Sequence, residues 1–204
     1  THMIGVIDAK SGNLGSLKNA LNFQDIKFKI INESSQISKF NKIILPGVGA
    51  FINLKKNLID LDLYNSLKDF INNDKNFFLG ICIGMQILLT KGTEEQETEG
   101  FDFIKGKVIN FNKIKNVKTP NINWLKIEKQ NDSNILNNIS DADFYFLHSY
   151  FCQVEDEKFI IAKTKYRGIE FPSIIQKNNI FGIQFHPEKS RIQGLKILKN
   201  FSNL

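Results

Sequence analysis

The spacing of apolar and polar positions divides the chain into two halves. In the first half, short apolar runs alternate with stretches in which apolar residues recur every three or four positions. Short apolar runs predict buried strands, and the longer period predicts helices. The predicted strands cover residues 4–8, 27–31, 42–45 and 77–81, and the predicted helices cover residues 14–23, 51–72 and 84–90. This alternation favours a parallel sheet with helices on both faces.

The second half has short apolar stretches separated by polar turns. They predict strands over residues 107–111, 124–128, 143–147, 159–165, 174–176 and 180–185, followed by a closing helix over 192–201. The predicted fold class is therefore α/β, with a mostly parallel central sheet flanked by helices and an antiparallel extension. No linker divides the chain, so residues 4–204 are predicted to form a single domain, and residues 1–3 have the form of a tag remnant.

Composition and charge narrow the class of function. The 204 residues are 42% hydrophobic and 24% charged, as is usual for globular proteins, and the formal net charge is +6. The lysines are scattered, so nucleic acid is not predicted as a partner. No apolar run reaches the roughly 18 residues that cross a bilayer, and no signal peptide opens the chain, so no membrane association is expected. Two cysteines make no disulfide framework, which favours a reducing, cytoplasmic location, and the acidic run 94–99 is predicted to be a solvated loop.

Cys82 is the candidate nucleophile. It lies in the segment Gly80-Ile81-Cys82-Ile83-Gly84-Met85-Gln86, where a predicted strand turns into a predicted helix. Glycines two residues to either side allow a tight turn on which the thiol stands clear of the sheet. The N-terminus of the following helix points its N–H groups and positive dipole at the sulfur, which favours the thiolate. Cys152 has no such setting and is predicted to be structural.

The base that this nucleophile requires has two candidates, His148 and His186. His186 follows an apolar run and precedes Pro187 and Glu188. Pro187 favours an extended segment, in which residues two apart face the same side, so Glu188 can reach the imidazole and stabilise its charged form. His148 has no carboxylate at that spacing, so a structural or substrate-facing role is predicted for it.

Three sequence blocks in this order resemble the class I glutamine amidotransferases. They are Pro46-Gly47-Val48-Gly49, Gly80 to Gln86, and His186-Pro187-Glu188. The resemblance implies that a Cys-His-Glu triad hydrolyses L-glutamine, in which Cys82 attacks the side-chain amide, His186 acts as base and acid, and Glu188 orients His186. It further implies an oxyanion hole formed by the backbone N–H groups of Val48, Gly49 and Ile83. The substrate-binding residues that it implies are Gly47, Gln86, His148, Ser149 and Tyr150.

The resemblance is strongest to the glutaminase subunits of imidazole glycerol phosphate synthase. Those subunits usually carry a Pro-His-Met-Gly-Trp-Asn-like stretch near the synthase, and here it reads Pro120-Asn121-Ile122-Asn123-Trp124-Leu125. Asn121, Asn123 and Trp124 are therefore the predicted interface residues. The implied partner is a HisF-like cyclase subunit in a heterodimer, with no cofactor and no metal. The altered stretch leaves a second partner open, a sugar amidotransferase of surface-glycan or flagellar sugar modification.

Two other classes of function are disfavoured. A γ-glutamyl hydrolase or cysteine peptidase does not account for Gln86 or for the block Gln184 to Ser190, and a silent scaffold would be expected to have lost a member of the triad. Free ammonia would be protonated and lost in water, so we expect its transfer through a sealed interface. Low glutaminase activity is predicted for the isolated subunit, because uncoupled hydrolysis would waste glutamine.

Overall fold

The computed structural model of the chain describes residues 3–12 and 14–204. Thr1 and His2, to which the prediction of a tag remnant applies, lie outside the described residues. The strands are β1 (Ile4–Ile7), β2 (Phe28–Ile31), β3 (Lys42–Leu45), β4 (Phe77–Ile81), β5 (Leu89–Gly92), β6 (Thr98–Glu99), β7 (Ile104–Asn110), β8 (Asn121–Lys126), β9 (Glu128–Lys129), β10 (Asp143–His148), β11 (Tyr150–Val154), β12 (Ile160–Tyr166), β13 (Ile169–Lys177) and β14 (Ile180–Ile183). The α-helices are α1 (Leu14–Phe23), α2 (Ser34–Ile37), α3 (Phe51–Asp60), α4 (Tyr64–Ile71), α5 (Ile83–Gln86) and α6 (Arg191–Ser202).

An eight-stranded sheet forms the centre of the molecule. Its strand order is β2-β1-β3-β4-β14-β13-β12-β9. The pairs from β2 to β14 are parallel, and those from β14 to β9 are antiparallel. Every residue of β1, β3 and β14 is buried, as expected for strands covered on both faces. The predicted fold class, a mostly parallel sheet with an antiparallel extension, is confirmed.

The parallel pair β4 and β14 sets the position of the candidate catalytic residues. Ile81, the last residue of β4, is in register with Ile183, the last residue of β14. Cys82 follows directly, and its backbone N–H donates to the carbonyl of Ile183 at 2.7 Å. The segments after the two strands therefore leave the sheet side by side, at the carboxyl edge where open α/β sheets place their ligands.

Two smaller sheets complete the walls around that edge. One has the strand order β11-β7-β5-β6, and the other pairs β10 with β8 antiparallel. Within the described residues no helix is both long enough and apolar enough to cross a membrane.

Two predicted helices differ from the observed ones. The helix predicted over 51–72 is interrupted, because Asp62 takes a left-handed conformation (φ 58°) between α3 and α4. The helix predicted over 84–90 ends at Gln86, because residues 89–92 form β5, which pairs with β7. Both errors reflect tertiary pairing or packing, which overrides a local apolar period.

Candidate active site

Cys82 occupies a strained turn between β4 and α5. Its backbone has φ 56° and ψ −109°, a combination that a residue with a side chain rarely adopts and that costs about 1–3 kcal/mol. Both flanking positions require glycine, because a backbone carbonyl oxygen lies where a Cβ atom would be. A Cβ at Gly80 would lie 2.1 Å from the carbonyl oxygen of Gly84, and a Cβ at Gly84 would lie 2.0 Å from that of Leu45. The turn predicted from the sequence is therefore present, and it is stabilised by tight backbone packing.

His186 and Glu188 form a buried pair beside this turn. His186 Nδ1 lies 2.9 Å from Glu188 Oε1, and the backbone N–H of His186 donates to the carbonyl of Tyr145 at 2.9 Å. The segment is not extended throughout as the sequence suggested, because Pro187 to Lys189 form a 3-10 turn that directs the carboxylate back to the ring. Ser190 Oγ stabilises the turn by donating to the carbonyl of His186 at 2.6 Å.

The electrostatic surroundings of His186 favour the imidazolium. Burial would lower the pKa of His186, but the neighbouring Cys82 sulfur and the Glu188 carboxylate outweigh it and raise the pKa to about 10. Nε2 of His186 and Oε2 of Glu188 are buried without a hydrogen-bond partner among the described residues. The His186 ring nevertheless interacts with the Cys82 sulfur, which favours its charged form. An imidazolium beside a thiol stabilises the nucleophilic thiolate.

The Cys82 sulfur has two further polar neighbours. Its Sγ lies 3.6 Å from Gln184 Nε2 and 3.8 Å from the carbonyl oxygen of Leu147. Gln184 Oε1 in turn accepts a hydrogen bond from Gln86 Nε2 at 3.1 Å. A side-chain amide that donates to a sulfur stabilises negative charge on it.

A pocket of about 290 Å³ opens beside the sulfur. Its lining includes four of the five predicted substrate-binding residues, Gln86, His148, Ser149 and Tyr150. The fifth, Gly47, lies behind the wall, where it lines a cavity of about 20 Å³ together with His186 and Glu188. The full lining of the larger pocket is Val48, Gly49, Cys82, Ile83, Gln86, Glu94, Pro120, Leu147, His148, Ser149 and Tyr150.

The predicted oxyanion-hole residues lie beside the pocket, but two of their N–H groups are engaged elsewhere. Ile83 N–H donates to the carbonyl of Gly47 at 3.4 Å, and Val48 N–H donates to the carbonyl of Ser11 at 3.0 Å. Gly49 has φ 98°, a conformation suited to glycine. An oxyanion in the pocket could use Ile83 N–H only after Gly47 releases it.

His148 is placed as a structural group rather than as a base. Its ring lies among Phe111, Phe146 and Phe171, with centroid distances of 5.1 to 5.8 Å. Both ring nitrogens are engaged: Nδ1 lies 2.7 Å from the carbonyl of Tyr150, and Nε2 lies 3.1 Å from Asn121 Nδ2. Burial lowers the pKa of His148 to about 4, so the ring is neutral at physiological pH. The structural or substrate-facing role of His148 stays a prediction.

Glu94 is a pocket residue that the sequence reasoning missed. The run 94–99 was expected to be a solvated loop, but Thr98 and Glu99 form β6 and Glu94 is half-buried at the pocket. Glu94 Oε2 accepts a hydrogen bond from the backbone N–H of Phe51 at 3.1 Å. Burial raises the pKa of its carboxyl group. A fixed carboxylate at the pocket is a suitable partner for a substrate ammonium group. No feature of the sequence distinguished Glu94 from the other acidic residues of the run.

The predicted interface residues divide between the surface and the interior. Asn123 and Trp124 are exposed on β8, whereas Asn121 is fully buried. The prediction that Asn121 contacts a partner directly is therefore wrong. The Trp124 ring lies 4.6 Å from the Arg191 guanidinium and 5.6 Å from the Tyr145 ring. Tyr145 in turn neighbours His186, with 6.3 Å between ring centroids.

Comparisons with known proteins agree with the geometry. The glutamine amidotransferase class-I family model matches residues 5–203. The "Imidazole glycerol phosphate synthase subunit HisH" of Caldanaerobacter subterraneus subsp. tengcongensis is 42% identical over 99% of this chain and 98% of its own length. The HisH subunit of Methanocaldococcus jannaschii is 43% identical over 99% of this chain and its full length.

Solved structures share the fold at low sequence identity. PurLQS from Thermotoga maritima superposes with a TM-score of 0.74 at 15% identity, covering 99% of this chain and 98% of that one. A glutamine amidotransferase from the same organism gives a TM-score of 0.67 at 14% identity, covering 99% and 83%.

Proposed function

The chain belongs to the class-I glutamine amidotransferase family, and we propose that it is the glutaminase subunit of an imidazole glycerol phosphate synthase. In this role it hydrolyses L-glutamine to glutamate and supplies the ammonia for histidine biosynthesis. The sugar-modifying alternative is not favoured, because relatives that are 42% and 43% identical along nearly the whole chain are HisH subunits.

The observation that carries the chemistry is the strained Cys82 turn facing the His186–Glu188 pair. The Cys82 thiolate attacks the γ-carboxamide carbon, and His186 gives its proton to the leaving nitrogen, so ammonia departs and a γ-glutamyl thioester remains. His186, now neutral, takes a proton from water, and the hydroxide equivalent attacks the thioester. Glutamate leaves and the thiolate–imidazolium pair is restored. Glu188 holds the ring in the orientation that both proton transfers need.

Glu94 and Gln86 are suited to bind the amino-acid end of glutamine. Both line the pocket together with Tyr150. We assign the Glu94 carboxylate to the binding of the substrate ammonium group. Each of these charges is costly to bury alone, and their mutual attraction in the pocket offsets that cost.

Two oxyanion-hole amides already donate to other carbonyl groups, and this supports the prediction of low glutaminase activity in the isolated subunit. Ile83 N–H is held by the carbonyl of Gly47, and losing one oxyanion donor costs about 3–4 kcal/mol of barrier. We propose that the partner subunit favours a conformation of residues 47–49 that frees this amide.

The partner is proposed to be a cyclase of the HisF type, seated on Asn123, Trp124 and the neighbouring Arg191. This surface adjoins His186 through Tyr145, so a subunit bound there would cover the site from which ammonia leaves. We also propose that residues 4–204 act as one domain and that the protein works in the reducing cytoplasm, where its two free cysteines stay reduced.

The decisive experiment measures glutamate release from L-glutamine, with and without the organism's own cyclase subunit and its nucleotide substrate. Cys82→Ala is the blank. We expect low release from the subunit alone and strong stimulation by the loaded cyclase, absent in the blank. No stimulation with a cyclase that works on free ammonia would contradict the assignment to this synthase.

A further inference from the structure

A continuous row of hydrogen bonds joins the outer face of β8 to the pocket. Asn123 Nδ2 donates to Asn121 Oδ1 at 2.8 Å, and Asn121 Nδ2 lies 3.1 Å from His148 Nε2. His148 Nδ1 lies 2.7 Å from the carbonyl oxygen of Tyr150, which also accepts from Gln86 Nε2 at 3.0 Å. Asn123 is exposed, whereas Asn121 and His148 are buried.

The Tyr150 end of the row determines the direction of the hydrogen bonds at His148. A backbone carbonyl can only accept, so His148 Nδ1 carries the proton and donates to the Tyr150 oxygen. The neutral ring has a single proton, so Nε2 must accept, and the Asn121 amide nitrogen faces it as the donor. Asn121 Oδ1 is then the atom that accepts from Asn123 Nδ2.

The same logic continues to the nucleophile. Gln86 uses both hydrogens of its amide group, one on the Tyr150 carbonyl and one on Gln184 Oε1. Its own Oε1 is thereby left as the atom that can accept from a substrate donor. Gln184 Nε2 then points at the Cys82 sulfur, 3.6 Å away.

We infer that Asn121 and Asn123 are positioning residues of the glutamine site. They give Nε2 of the buried His148 ring its hydrogen-bond donor and so fix the ring that holds the Tyr150 carbonyl and Gln86 in place for substrate. The inference rests on the proposed function for the identity of the substrate. Neither asparagine lines the pocket itself, and Asn121 contacts the lining residue His148, so their effect on glutamine is transmitted through His148.

The first test follows the ring directly. Nitrogen-15 NMR of the imidazole nitrogens of the full chain reports which nitrogen is protonated and whether the other accepts a hydrogen bond. We expect His148 to stay protonated on Nδ1, since the Tyr150 carbonyl requires it, and the resonance of Nε2 to shift in Asn121→Leu, which has similar size but no donor. Asn123→Ala, at an exposed position, is expected to shift the Nε2 resonance less and without affecting folding.

The second test measures glutamine binding as protection of Cys82 from alkylation by iodoacetamide. We expect the dissociation constant to rise about tenfold in Asn121→Leu and about twofold to threefold in Asn123→Ala, as for the loss of one buried and one outer hydrogen bond. The alkylation rate without glutamine should not change, because the row supports the pocket rather than the sulfur's exposure. Lys126→Ala is the matched control, since Lys126 is exposed on the same strand.

The outcomes separate the inference from the proposed function. An unchanged Nε2 resonance in both asparagine variants overturns the inference, as does a shifted Nε2 resonance with unchanged glutamine binding. If Asn121→Leu does not fold, Asn123→Ala decides in the same way. A wild-type protein that binds no glutamine contradicts the proposed function and the substrate role of the row together. An Nε2 resonance that both variants shift would still establish the row itself.

Discussion

Two histidines border the site around Cys82, and neither is more than 6% exposed. His186 has Glu188 Oε1 at 2.9 Å and the Cys82 sulfur nearby, and these neighbours outweigh the effect of burial and raise its pKa to about 10. His148 is surrounded by aromatic rings, and burial lowers its pKa to about 4. Its contact with the Tyr150 carbonyl opposes that shift but does not reverse it.

The difference shows that burial alone does not assign a histidine its role. Both rings are removed from water, and the neutral ring is the one whose neighbours are carbonyl, amide and aromatic groups. The charged ring is the one beside a carboxylate and a thiol. A carboxylate held by a turn two residues away therefore separates a proton-transfer group from a structural one.

The largest expected effect comes from removing the charged ring. His186→Asn should lower kcat at least about 10⁴-fold, because both proton transfers lose their group. His148→Gln should instead raise KM more than it lowers kcat. Steady-state kinetics of glutamate release, in complex with the partner, distinguish these results, and an equal loss of kcat in both variants would contradict the assignment of roles.

Removing the carboxylate should have the next largest effect. Glu188→Gln keeps the size of the side chain but removes the charge, so we expect kcat to fall about 10²- to 10⁴-fold. The pKa of His186 should fall at the same time, which NMR titration of the ring can follow. A retained pKa near its original value would show that Cys82 alone keeps the ring charged.

A smaller effect is expected at the other carboxylate of the pocket. Glu94→Gln preserves an acceptor for the Phe51 N–H but removes the charge proposed to bind the substrate ammonium group. We expect KM for glutamine to rise about tenfold with kcat within about twofold, as for one charge-assisted hydrogen bond. Glu95→Gln, at the adjacent exposed position, should leave both constants unchanged. A loss confined to kcat would place Glu94 in a different role.

The smallest expected effect is on the way the free energy of unfolding changes with pH. His148 has a pKa near 6.5 in the unfolded chain and about 4 in the folded protein. The unfolded state therefore binds more protons between these pH values, and acid lowers the free energy of unfolding over this range. His148→Gln should remove about 1 kcal/mol of the decline in unfolding free energy between about pH 6 and pH 5. His186 has the opposite sign: its stabilisation is present below about pH 6.5 and is lost as the pH rises through about 10. Urea unfolding of both variants at several pH values measures the two slopes.

Much of the parallel half could be predicted from apolar runs alone. Strands over 42–45 and 77–81 and the helix over 14–23 have the predicted bounds, because each is a short element whose burial is encoded by consecutive or periodic apolar residues. Residues 89–92 could not be predicted as a strand, because their partner β7 is distant in the sequence and only tertiary pairing distinguishes them from a continued helix.

The site was predictable where its chemistry requires particular local neighbours. Gly80, Cys82 and Gly84 encode the turn, and His186 with Glu188 encodes the pair. Glu94 and Asn121 were misjudged because their roles depend on what lies across the pocket or beneath β8. The polarity of Asn121 favoured a surface position, yet its hydrogen bond to His148 satisfies it in the interior.

The backbone contacts at Gly80 and Gly84 limit which substitutions can be accepted during the evolution of this enzyme. A Cβ at either position would lie within 2.1 Å of a backbone carbonyl oxygen, which cannot move aside as the end of a flexible side chain could. A change of side chain at position 82 therefore leaves these backbone contacts in place, whereas any single substitution at Gly80 or Gly84 disrupts them. In a library that randomises residues 79–85, we expect every folded member to retain both glycines whatever reaction is selected.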